Sequence, residues 1–228
     1  MTRRSKTILK RSLLAFLAGL LFGTLFKYWD SRAFTKEQRL IIRQSDSVMY
    51  VTTWPEDSAV LRTPCADLTK AELKSKDLKT LTAKMLKTLR SPQQDGVGIA
   101  APQVGVSKRI IWLQRFDKDG GPFECYLNVH IDSLFGDIGK GPEGCLSVPP
   151  MRGLVPRYTS VIVSYVHPET LEPKRDTVHG YTAVIFQHEC DHLNGDLFVD
   201  KISTSDRTMN QSKLRKMAKE TQAKLKKK

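Results

Sequence analysis

The chain has 228 residues, 40% of them hydrophobic, which is enough for one compact domain plus an extension. Its net charge of +13 belongs to the two ends: residues 1–11 carry five cations, and residues 207–228 carry nine with only Glu220 opposing. Four cysteines without a CxxC pair exclude a disulfide-stapled secreted scaffold and fit a reducing compartment, and no internal repeat points to a solenoid.

From Ser12 to Phe26 the sequence is uncharged and rich in Leu, Phe, Ala and Gly, with Arg3, Arg4, Lys6, Lys10 and Arg11 before it and Lys27, Tyr28 and Trp29 after. Fifteen helical residues rise about 22 Å against a hydrocarbon core of about 30 Å, so a span needs Arg11 and Lys27 to snorkel and Trp29 to sit at the interface. No A-x-A-like cleavage site follows, and Arg3-Arg4 lacks the rest of a twin-arginine signal. Residues 1–30 are therefore expected to form an uncleaved membrane anchor, with an organelle-targeting presequence and a buried core helix as the alternatives. Ser31 to Asp46 is polar, and residues 31–47 are expected to be a linker, helical or flexible, ahead of a catalytic domain over 48–228.

Thr69 to Arg90 is predicted as one helix: Thr69 and Glu72 suit a capping box, Leu73, Leu78, Leu81, Met85 and Leu89 mark its apolar side, and Ser91-Pro92 ends it. Strands are predicted at Arg109–Gln114, Cys125–Ile131 and Val161–Val166, β-branched or aromatic runs bounded by Gly, Pro, Asp and Lys. Gly96-Val97-Gly98 lacks the third glycine of a dinucleotide loop and the Gly-Lys-Ser/Thr of a phosphate loop, so its small residues point instead to close approach of a backbone. At the C-terminus Leu214, Met217, Ala218, Thr221 and Leu225 recur at helical spacing among lysines, predicting an amphipathic helix over about 207–228 whose stripe packs on its own domain or on a partner.

The run Gln187-His188-Glu189-Cys190-Asp191-His192 carries the chemistry. Histidines four apart share one face of a helix and bind a divalent metal, while the intervening glutamate is placed to move a proton in hydrolysis. A catalytic site uses three protein ligands. No histidine follows His192, so the third is Asp196, Asp200 or, better, Cys145 in Glu143-Gly144-Cys145-Leu146-Ser147. Cys190, two residues from His188, points off the ligand face, and it, Cys65 and Cys125 are expected to be buried small hydrophobes.

Three blocks, Gly96-Val97-Gly98-Ile99-Ala100-Ala101-Pro102-Gln103-Val104-Gly105, Glu143-Gly144-Cys145-Leu146-Ser147 and Gln187-His188-Glu189-Cys190-Asp191-His192-Leu193, make the chain from about Val48 onward resemble the peptide deformylases. The resemblance implies an α+β fold with small antiparallel sheets wrapped around the HExxH helix, and a hydrolase that removes the formyl group from the N-terminal formylmethionine of nascent polypeptides. By the same resemblance Cys145, His188 and His192 hold the metal, commonly Fe²⁺, while these donors also accept Zn²⁺, Ni²⁺ or Co²⁺. A metal-bound water then attacks the formyl carbon with Glu189 as base and acid, and Gln103 and the Leu146 backbone N–H stabilise the oxyanion. Gly98 would pair with substrate by strand addition. Val97, Tyr181, Val184 and Ile185 would line the methionine slot, or are plain core. The sequence departs from the family in its hydrophobic N-terminus and at Asn128-Val129-His130, where many relatives have Asn-Pro.

A monomer is expected, with its catalytic domain on the cytoplasmic side of a bacterial inner membrane or, alternatively, inside an organelle. The ribosome is a candidate partner for the basic C-terminal helix. A metallopeptidase and an inactive, membrane-tethered binding protein are the competing readings; the intact Gln103, Cys145 and Glu189 and the cysteine ligand argue against them.

Overall fold

A computed structural model describes residues 34–44, 46–92, 94 and 96–202. The expected anchor over 1–30 and the expected helix over 207–228 lie outside the described residues. Among the described residues no helix is long and apolar enough to cross a membrane.

The first helix, α1 (Lys36–Ile42), starts at a capping box in which Thr35 and Gln38 satisfy each other's backbone N–H groups. Residues 31–47 read as a linker by their polarity, yet from Phe34 onward the described part is docked on the domain. Phe34 and Ile42 are buried in the core, and Arg43 meets Asp77 at 2.8 Å. The polar sequence conceals this because one narrow stripe, Phe34, Ile41 and Ile42, supplies the apolar contact.

After the short α2 (Ser58–Leu61), the region predicted as one helix is two. Thr69 and Glu72 do form the capping box, but it opens a single turn, α3 (Lys70–Leu73). Ser75 then accepts from Leu78 N and starts α4 (Lys76–Leu89). A serine that can cap competes with helix continuation, and here the cap wins. Leu78, Leu81, Met85 and Leu89 face the core as expected, with Leu73 packed partly against it.

A five-stranded antiparallel sheet follows in simple order: β1 (Gly98–Ala100), β2 (Ile110–Gln114), β3 (Phe123–Gly144), β4 (Arg152–Val166) and β5 (Pro173–His179). The fold is α+β, with one sheet where several small ones were expected. The predicted strands fall on β2, the start of β3 and the end of β4. The outer halves of β3 and β4 pair from Leu134↔Val161 to Gly144↔Arg152, bringing the end of this long hairpin back to the site. Asn128, with φ of 49°, turns β3 at a bulge, and its amide clamps Leu68 through bonds of 2.6 and 3.0 Å.

Helix α5 (Gly180–Asn194) crosses the sheet and ends at Gly195, whose φ of 82° closes it and where a Cβ would stand 2.6 Å from Arg62 O. The single turn α6 (Phe198–Lys201) covers Val155 beside it. One core lies between α1, α4 and the sheet, around Leu81, Met85 and Ile110; a second lies between the sheet and α5, around Ile111, Val161 and Phe186. Each fully buried side chain of this size contributes about 1.5–3 kcal/mol, which fixes the α5 face that meets the sheet and thus what it presents to the cleft.

Candidate active site

The cleft is about 740 Å³ and is walled by β1, α5 and the loop after β3. His188 and His192 project from α5 one turn apart, and Cys145 arrives from the end of β3. One ligand atom from each of these three lies within 4.8 Å of the others, and Cys145 Sγ stands 3.1 Å from His192 Nε2. Metal–nitrogen bonds of about 2.0–2.1 Å and metal–sulfur bonds of about 2.3 Å require donors at such spacing, so the cluster fits one divalent cation. His188 Nδ1 is taken by Glu143 Oε2 at 2.8 Å, which leaves its Nε2 for the cluster. The alternative third ligand Asp200 instead pairs with Arg62 and accepts from Leu197 N, while Asp196 is exposed.

The two histidines differ sharply in electrostatics. Burial disfavours the His188 imidazolium, but bonds to Cys145 and Glu143 outweigh it and raise its pKa well above the usual value. His192, buried and beside His188, is pushed well below. A divalent cation held by these donors would compete with the proton on His188. Burial pushes Glu189 up to about 7, and its Oε2 is among the buried polar atoms with no hydrogen-bond partner. The carboxylate lies against β1, where a Cβ on Gly98 would collide with Oε1, so a side chain at 98 would displace it.

Gln103, in the 3₁₀ turn Ala101–Val104, is held by its oxygen, which accepts from Ala100 N at 2.8 Å. Its amide nitrogen is thereby aimed at Cys145 Sγ, 3.5 Å away, and Ser147 Oγ, 3.2 Å away. Leu146, next to Cys145, lines the same cleft, as do Val97, Gly98, Val184 and Ile185. Tyr181 also lines it but is 57% exposed and packs on Phe116, so it stands at the mouth rather than in a slot. Cys65, Cys125 and Cys190 are buried free thiols outside the cluster.

Sequence reasoning passed over the support behind the ligands. Arg157 of β4 holds both oxygens of Glu143, at 2.7 and 2.9 Å, and Asp191 at 2.6 Å. Burial would raise Glu143, but Arg157 and His188 bring it down to about 2, so it stays ionised and anchors the ring. Glu143 stood inside a quoted motif; the only signal for Asp191 was its place between the histidines, and for Arg157 there was none.

A Cys/His/His cluster, a buried carboxylate beside it, an aimed amide and an edge strand along the cleft together define a metal-dependent amide hydrolase of the HExxH class. The Polypeptide deformylase family model matches residues 48–208. The chain is 36% identical to the peptide deformylase of Leptospira biflexa over 153 residues, 64% of this chain and 84% of that one. Among solved structures, a class I type b peptide deformylase from Acinetobacter baumannii with Met-Ala-Ser bound superposes with a TM-score of 0.61 at 37% identity, covering 68% of this chain and 98% of that one. One from Legionella pneumophila does so with a TM-score of 0.64 at 34% identity, covering 77% and 98%. The chain belongs to the peptide deformylase family.

Proposed function

We propose that the cleft hydrolyses the formyl amide of N-formylmethionyl polypeptides, releasing formate and a free amino terminus, with Fe²⁺ on Cys145, His188 and His192. The observation that carries the mechanism is Glu189: a buried carboxylate with an unpartnered oxygen, in the same cleft as the three ligands and against the edge strand β1. A divalent cation on these donors would acidify a water molecule and polarise the formyl oxygen. Its positive charge would also oppose the burial that raises Glu189 and so favour the ionised carboxylate that accepts a proton. Glu189 takes the proton of the attacking water and delivers it to the departing amine. The Gln103 amide, fixed by Ala100 N, and the Leu146 N–H face the negative charge that grows on the formyl oxygen; losing one such donor costs about a hundredfold to a thousandfold. Substrate backbone pairs with Gly98, and Val184 and Ile185 receive the methionine side chain.

Formate release from formyl-Met-Ala-Ser by residues 34–228, purified anaerobically with Fe²⁺, tests this beside Glu189→Ala. Release that falls by at least about a hundredfold in the variant is expected. A folded, metal-loaded wild type that releases none would overturn the reading.

For placement, the uncharged Ser12–Phe26 run between basic flanks favours an uncleaved anchor over 1–30 that holds the domain on the cytoplasmic side of a bacterial inner membrane, and the nine cations of 207–228 favour the ribosome as partner. Membrane fractionation of the full chain, and ribosome co-sedimentation with and without the residues after Asn210, check the two ends separately.

A further inference from the structure

Helix α5 presents a second stripe besides the one that faces the cleft. Tyr181, Val184, Ile185 and His188 line the cleft, whereas Gln187, Asp191 and Asn194, spaced four and three residues apart, line a separate cavity of about 280 Å³ on another face of the helix. A water molecule's share of volume is about 30 Å³, so this space holds several atoms beyond one bound water. Arg109 just before β2, His130 of β3, Arg157 of β4 and Lys201 of α6 complete its polar wall, and the exposed His130 and Leu134 mark its opening.

Three permanent cations line this cavity against one carboxylate, Asp191. Asp191 already answers two of them: it accepts from Arg157 Nη1 at 2.6 Å and from Lys201 Nζ. Arg109 differs. Its side chain is 9% exposed and donates to Val129 O at 2.9 Å, Asn194 Oδ1 at 3.0 Å and Leu193 O at 3.5 Å, all neutral acceptors. The carboxylate that comes nearest, Asp67, stands 3.9 Å from it, is itself more than half exposed and is taken by His130 at 2.9 Å. Buried charges are ordinarily matched by close opposite ones, and a cation that is not, beside a cavity open to water, attracts an anion.

We propose that this cavity binds a small oxyanion, a phosphate or a carboxylate, between Arg109 and Lys201 with His130 at the rim, and that its occupancy loosens the metal site. Arg157 supplies the link, because it walls the cavity on one side and on the other holds both oxygens of Glu143, which fixes the ring of His188. An anion beside Arg157 and Lys201 competes with Glu143 and Asp191 for the same donors, so the hold of Glu143 on His188 weakens. Linkage makes the coupling reciprocal: metal on the ligands weakens the anion by the same factor. The site lies apart from the substrate cleft and stands independently of the deformylation reading.

The test titrates the Zn²⁺-loaded enzyme with inorganic phosphate and, separately, with acetate at fixed ionic strength, following side-chain N–H signals by NMR and Zn²⁺ affinity by chelator competition, in the wild type and in Lys201→Gln. Saturable shifts are expected at the Asn194 amide and Arg109 Nε–H while the Gln103 amide stays put, with Zn²⁺ affinity falling about fivefold or more at saturation. Lys201→Gln, at a partly exposed position, should weaken the anion about tenfold or more and shrink the effect on Zn²⁺ to match. The tighter of the two anions identifies the source as phosphate or a small carboxylate. No saturable shift with either anion, shifts at the Gln103 amide instead, or binding that Lys201→Gln leaves intact would overturn the site. Saturable binding with unchanged Zn²⁺ affinity would overturn the coupling.

Discussion

Two arginines, each nearly sealed from water, hold this molecule together in different ways. The side chain of Arg157 is 5% exposed and gathers Glu143 and Asp191; that of Arg115 is 3% exposed and gathers Asp117, Glu124 and Asp176. Both are buried charges with several acidic partners, so burial and pairing do not separate them. Their endpoints do. From Arg157 the bonds continue through Glu143 to the ring of His188. From Arg115 they pass to Tyr126, whose hydroxyl accepts at 2.6 Å and donates on to Glu124, tying β2, β3 and β5 together. A buried ion network acquires a part in catalysis only by where it terminates.

The largest effect that separates the two is on folding. Arg115→Ala leaves a group of carboxylates without their cation and should cost about 3–5 kcal/mol in urea unfolding while leaving metal affinity unchanged. Glu143→Gln keeps the shape and removes the charge that anchors His188. It is expected to weaken metal binding about 10–100-fold in a competitive chelator titration, with a smaller change in unfolding. If the two variants lost metal affinity equally, the distinction would collapse. The smallest effect is acid sensitivity. Bonds to Arg115 hold Asp117 at about 2, below its ordinary 3.8, so its contribution is present above pH 3.8 and lost as pH falls through about 2. Since Asp117 is 27% exposed, that contribution is below about 1 kcal/mol. The stability gap between metal-free wild type and Asp117→Asn should close between pH 6 and pH 2.

The ligand histidines were legible in the sequence because their relation is local, two residues one helical turn apart, and Cys145 and Gln103 lay in family-like blocks. Arg157 was not. It sits 14 residues beyond Glu143, and only the pairing of β3 with β4, Gly144↔Arg152 at its end, brings the two together. That pairing was itself hidden, because the outer half of β3 is mostly exposed and is interrupted by Gly136, Gly139, Gly141 and Pro142, residues that ordinarily mark turns. β5 went unseen for a similar reason: a polar edge strand that opens on a proline has no apolar alternation to detect. Tyr181 was expected in the methionine slot and stands at the cleft mouth, since an exposed aromatic and a core aromatic look alike until the fold places them.

The docking of Phe34 and α1 onto the domain bears on geography as much as on stability. With Phe34 and Ile42 in the core around Leu81 and Met85, whatever precedes Phe34 joins the catalytic domain directly at a packed helix, so its point of attachment is fixed relative to the cleft.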